Sequence, residues 1–213
     1  MAQSSKKRFL SVQKMTTIAV LAAVSSILFM VEVVPVPAVP FYKLDFSNLP
    51  VLLGTFAMGP LAGTLILAIK SFIGLLHSSS QGVGELADFL MGFAMVLPVG
   101  LVYNRNRSRK GAIWGMAAGA LTATVTSVLA NLYIMIPFFM MVYHMPVEAI
   151  LGMGQAVIPS IDSLWKFVLY ITAPFNLFKW VLISFLGSLM YKPLSPLLHG
   201  QFGRRKAKEK KRS

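Results

Sequence analysis

Asn176 and Lys179 stand three residues apart in APFNLFKW, residues 173 to 180, inside one of the most apolar stretches of a 213-residue chain. That spacing is close to one helical turn and puts the amide and the ammonium on one face. An amide both donates and accepts hydrogen bonds, whereas an ammonium only donates. Together they can hold a polar ligand in an apolar setting. Asn131, in ANLYIM, is a third polar group at similar depth in another apolar segment. Ionisable groups inside membrane spans are costly and by default mark function. Two other readings stand beside a ligand pocket: Lys179 snorkelling to the surface, and hydrogen bonding between helices. An amide cannot snorkel far, so Asn176 favours the pocket. Lys70 lies in a further apolar run, and nothing in the sequence says which way it faces.

Other chemistries find no constellation. The chain has no GxxxxGK[ST] phosphate loop, no HExxH pair and no GxSxG elbow. His77, His144 and His199 fall in different loops or helix ends, so no metal site is expected. There are no cysteines, which excludes disulfides and thiolate chemistry. Glu85 and Asp88, in GELADF, share a face at the start of an apolar run. They read as a solvated helix start with acids favoured by the dipole. They are also the one candidate pair for a membrane enzyme acting on lipid. The expectation is no enzyme, no metal and no bound cofactor.

The elements that carry these residues follow from composition. Hydrophobic residues make up 56% of the chain and charged residues 13%, against about 25% charged in soluble domains. The fold class is therefore an all-α integral membrane protein. Apolar runs at 16–34, 47–58, 61–76, 83–102, 112–138 and within 161–191 predict six transmembrane helices. Gly59-Pro60 leaves almost no loop between the second and third. Pro174 either kinks the last run or starts a fresh helix in it. The first run is too long for a signal-peptide core and lacks a cleavage site, so it is read as a retained span.

The net charge of +13 sits in short runs rather than over a folded surface, which speaks for topology and against nucleic acid. Lys6, Lys7, Arg8 and Lys14 precede the first span. Arg105, Arg107, Arg109 and Lys110 lie between the fourth and fifth, and eight more basic residues follow the last. The positive-inside rule then puts both termini in the cytoplasm. Residues 1–11 form a basic amino terminus, 12–195 the transmembrane domain, and 196–213 a basic tail lying along anionic membrane lipids. Small residues recur every four positions at Gly111, Gly115, Gly119 and Ala123, and again at Ala19 and Ala23 with Ala22 beside them. Such stripes let helices approach closely; the first is read as internal packing, the second as internal contact or a partner's docking face.

Four stretches resemble one family. PFYKLDFSNLPVLLGTFAMGP (40–60), IAVLAAV (18–24), Asn131 at the end of the fifth run and PFNLFK (174–179) are similar to the riboflavin-binding S-components of energy-coupling factor (ECF) transporters, the RibU family. The likeness extends over about residues 12 to 195. It implies a six-helix, S-component-like bundle in a bacterial cell membrane, binding riboflavin near the extracellular face as cargo. Asn131, Asn176 and Lys179 would hydrogen-bond the vitamin, and Leu44, Asp45, Phe46 and Ser47 would form lid and pocket wall. Ala19, Ala22 and Ala23 would dock on a transmembrane coupling protein that works with two cytosolic ATPase subunits. The segment 139–160 carries no matching motif. A flavin offers a flat apolar ring, a polar edge and a polyhydroxyl tail, which suits apolar walls with a few placed amides. Tyr42, Phe46, Tyr133 and Trp180 are candidate wall residues. Six of the seven acids, Glu32, Asp45, Glu85, Asp88, Glu148 and Asp162, fall at or near the outer face, which suits a neutral ligand; FMN stays open if Lys43 or Lys179 meets its phosphate. Another vitamin, an ion-coupled secondary carrier and a lipid enzyme are the remaining alternatives.

Overall fold

Two prolines shape the two longest helices. In a computed structural model of the chain, which describes residues 12–190, Pro137 lies inside a helix spanning Arg109–Val142 and Pro174 inside one spanning Leu164–Met190. Proline inside a helix lacks an N–H and clashes with the carbonyl four residues back. Those carbonyls belong to Tyr133 and Tyr170. Each falls in a five-residue π turn, Asn131–Met135 and Val168–Thr172, which widens the helix where the ring needs room. Pro174 therefore sits within a continuous helix.

The described residues form seven helices. They are α1 (Val12–Met30), α2 (Asn48–Met58), α3 (Pro60–Leu75), α4 (Val83–Arg105), α5 (Arg109–Val142), α6 (Val147–Gln155) and α7 (Leu164–Met190). An isolated antiparallel bridge joins Val33 to Leu44. Four helices, α1, α4, α5 and α7, are long and apolar enough to cross a membrane. The expected count of six spans is not confirmed. The 11 residues of α2 and 16 of α3 rise about 16 and 24 Å, short of a hydrocarbon core of about 30 Å. Between them Gly59 adopts φ +96°, a conformation open to glycine, and Pro60 starts α3. The seventh helix, α6, lies in the segment that offered no motif. The basic segments 1–11 and 196–213, with His199, lie outside the described residues.

Side chains such as Leu121, Val125 and Leu129 on α5 and Phe178, Val181 and Phe185 on α7 are exposed, which gives these helices apolar outer faces. The small-residue stripe of α5 faces inward against α4. A Cβ at Gly119 would lie 2.6 Å from Met95 Sδ and 2.8 Å from its carbonyl oxygen. Thr122 Oγ1 donates to the Ala94 carbonyl across this seam at 2.7 Å. Met95, Val99, Met116, Ala120 and Ala123 pack here with Leu52, Trp180 and Ile183. A second core forms at the other end, where Val39, Tyr42, Ile150, Ile161 and Phe167 bring together the 31–47 loop, α6 and the start of α7.

Candidate ligand-binding site

Lys70 is fully buried in α3. A buried ammonium must be paired to be tolerated, and Lys70 is. Its Nζ donates to Asp88 Oδ2 at 2.5 Å, to Ser47 Oγ at 3.0 Å and to Asn48 Oδ1 at 3.2 Å. Asn48 in turn donates to Asp88 Oδ1 at 3.1 Å. Lys179 on α7 lies 3.8 Å from the same oxygen and donates to Asp45 Oδ2 at 2.8 Å. Lysine and aspartate thus alternate along a chain, Lys70–Asp88–Lys179–Asp45, that ties α3, α4, α7 and the 31–47 loop together. The Ser47 backbone N–H and hydroxyl both donate to Asp45 Oδ1, and Ser25 of α1 donates to the Ser47 carbonyl at 2.5 Å. Burial pulls the Asp45 carboxyl upward, but Lys179 and then Lys70 overcome it and hold it at about 2.

Beside this network lies a cavity of ≈ 330 Å³, whose lining includes Asp45, Asp88, Asn131, Asn176 and Lys179. That is the lower end of the range for small-molecule clefts, about 300–1,000 Å³. Each asparagine commits one amide hydrogen to its own helix: Asn131 Nδ2 to the Ser127 carbonyl at 2.9 Å and Asn176 Nδ2 to the Thr172 carbonyl at 3.0 Å. These bonds fix which way each amide is turned. The other N–H and the Oδ1 of both have no partner among the described residues, so two donor–acceptor amides remain available to a guest. Both stand beside the π turns, Asn131 opening one and Asn176 just after the other.

The lining also carries aromatic walls, Phe41, Tyr42, Phe139, Tyr143 and Phe175 among them. Tyr42 stacks on Phe175 with centroids 5.2 Å apart and planes 15° from parallel. Its hydroxyl is bonded to that of Thr172, and burial pushes its ionisation upward despite that bond. Tyr143 and Met145 come from the 139–160 segment, which thus closes one side of the cavity. At the opening Lys43 is paired with Glu32 and donates to Ser79 Oγ at 2.9 Å.

Of the residues singled out in sequence, the fold brings Asp45, Asn131, Asn176 and Lys179 to one cavity. Ser47 stands behind them in the network. Leu44 is held by the bridge to Val33, each N–H donating to the other's carbonyl at 2.9 and 2.7 Å, and Phe46 is 37% exposed; neither lines the cavity. Among the wall candidates Tyr42 lines it, Tyr133 is exposed, and Trp180 is buried in the α4–α5 seam. Glu85 and Asp88 are not the solvated helix start expected of them. Both are buried, because α3, the 78–80 loop and the 31–47 loop cover the start of α4. Ala19 and Ala23 are exposed on α1, whereas Ala22 is buried with Ile18, Val51 and Ile66. Lys70, Asn48 and Asp88 were missed as a group. The signal for them was a charge in mid-span that demands a countercharge, and Asp88 is an acid in the adjoining span.

The family model for "ECF transporter, substrate-specific component" matches residues 13–191. The chain is similar to the "Riboflavin transporter RibU" of Staphylococcus aureus (strain TCH60), 29% identical over 187 residues, covering 87% of this chain and 92% of the relative. It is similar also to the "Riboflavin transporter FmnP" of Bacillus subtilis (strain 168), 26% identical over 196 residues, 90% of this chain and 97% of the relative. A solved structure described as "Structure and mechanism of the S component of a bacterial ECF transporter" superposes with a TM-score of 0.67 at 28% identity. It covers 87% of this chain and 97% of that one.

Proposed function

The chain belongs to the substrate-specific components of ECF transporters, and on that premise we propose that its cavity captures riboflavin at the extracellular face for delivery to the cytoplasm. The observation that carries this reading is the pairing of charge inside the cavity. Lys43 is held by Glu32 and Lys179 by Asp45, so neither lysine is free to meet an anion, and two amides with aromatic walls can engage the ring of a guest. That combination suits a flat, neutral molecule with an alternating donor–acceptor edge. FMN fits less well, since its phosphate would have to displace Glu32 or Asp45 from a lysine. The relatives named as riboflavin transporters support the same reading.

The family is one of transport components, so riboflavin is cargo rather than cofactor and the chain is not an enzyme. A transmembrane coupling protein and two cytosolic ATPases supply the energy. The protein is a multi-pass protein of the bacterial cell membrane with both termini cytoplasmic and its basic tail along anionic lipid. Ala19 and Ala23, exposed on α1, dock on the coupling protein; Ala22 contributes from inside by letting α1 pack on α2 and α3. Titration of the purified protein with a panel of vitamins, following flavin emission, tests the assignment. Saturable quenching by riboflavin is expected. Emission unchanged at micromolar riboflavin would remove this vitamin from the account.

A further inference from the structure

Four carboxylates line the cavity, and among the described residues three have a lysine: Glu32 has Lys43, Asp45 has Lys179 and Asp88 has Lys70. Glu85 has none within 4.0 Å, although it is 7% exposed. Two serines hold it instead. Ser78 Oγ donates to Glu85 Oε2 at 2.7 Å and Ser80 Oγ at 3.1 Å. Both hydroxyls meanwhile accept from backbone: Ser78 Oγ from Gly82 N at 2.8 Å, and Ser80 Oγ from Gly84 N at 2.9 Å. Each hydroxyl has a single hydrogen, and it is committed to Glu85.

This arrangement fills a place where an anion would otherwise bind. A helix N-terminus with free N–H groups attracts phosphate, and α4 begins at the cavity. Here the N–H groups of Gly82 and Gly84 are taken by serine oxygens, the serine hydrogens are taken by Glu85, and the favourable end of the helix dipole is occupied by the protein's own carboxylate. Glu85 Oε1 is left without a partner among the described residues. It can only accept.

We infer that Glu85 sets the specificity of the cavity, its Oε1 accepting from a hydroxyl-bearing tail and its charge repelling a phosphate on that tail. The inference rests on the riboflavin reading given above. The two amides suit the mixed donor–acceptor edge of a flavin ring, and an acceptor-only carboxylate suits the donor-rich ribityl chain. Phosphorylating that chain replaces a donor with a like charge, which is costly in an enclosed site.

The test measures riboflavin, FMN and lumiflavin (the ring without the tail) against purified wild type, Glu85→Gln and Glu85→Asp by flavin quenching. Wild type should prefer riboflavin to FMN by at least about tenfold. Glu85→Gln should shrink that preference about tenfold or more, Glu85→Asp should keep it, and lumiflavin should bind wild type and Glu85→Gln alike. Riboflavin bound with an unaltered riboflavin-to-FMN ratio in Glu85→Gln would overturn the role of Glu85. If Glu85→Gln does not fold, wild type still decides: equal affinity for riboflavin and FMN overturns the inference. Wild type that binds no flavin would instead overturn the assignment of the cavity.

Discussion

Where α4 meets α5 at the end away from the cavity, contact is made by size. Gly115, Gly119 and Ala123 let Met95 and Val99 come close, and the Thr122 hydroxyl crosses the seam. Where α3, α4, α7 and the 31–47 loop meet beside the cavity, contact is made by charge, with two lysines and two aspartates in alternation. The seam joins helices adjacent in sequence and needs no countercharge. The network joins residues as far apart as Asp45 and Lys179. A small-residue seam positions backbones, whereas a charge network positions particular atoms, and it is the second that a ligand site requires.

Breaking the network should cost most. Lys70→Met leaves Asp88 buried without its lysine, and removing one partner of a buried pair costs about 3–5 kcal/mol. A large fall in the thermal unfolding temperature in detergent is expected. Combining it with Asp88→Leu should recover much of the loss, since an apolar replacement of a whole pair is often neutral. No recovery would mean that Asp88 is held by something other than Lys70. Crowding the seam should cost less. Gly119→Leu pushes a side chain into Met95, and overpacking of this kind costs about 1–3 kcal/mol, while ligand affinity stays at the wild-type value. Lost affinity with an intact fold would show that the two ends are coupled. The smallest effect concerns pH. The Asp45 carboxyl is depressed to about 2 in the fold, below its ordinary value near 4. Its stabilising contribution is therefore fully present above about pH 4 and is lost as pH falls through about 2. Unfolding followed between pH 8 and 5 should show no step from this group, and a step there would contradict the Asp45–Lys179 pair.

These contrasts also explain how much was legible in the residues alone. Asn176 and Lys179 share one helix, so their spacing places them together whatever the rest of the fold does. The small-residue stripe of α5 is local in the same way. Lys70 was not legible, because its partner lies in another helix and the apolar residues around it give α3 no clear polar face. Glu85 and Asp88 suggested solvent because acids are common at exposed helix starts; their burial depends on the 78–80 and 31–47 loops folding over α4. The 139–160 segment, without any motif, supplies Tyr143 and Met145 to the cavity through packing of Ile150 and Ile161. Span counting is least secure at α2, where an apolar run of 11 residues satisfies hydropathy but is short for a full crossing.

The central claim is that the two free amides, Asn131 and Asn176, grip a neutral flavin in a cavity whose lysines are both paired with carboxylates. Isothermal titration of riboflavin into wild type and the Asn131→Ala/Asn176→Ala double variant tests it most directly. Each lost partner costs about 1–3 kcal/mol, so one-to-one binding in wild type should weaken at least about thirtyfold in the double variant with its unfolding temperature unchanged. Wild-type affinity in the double variant would contradict the claim.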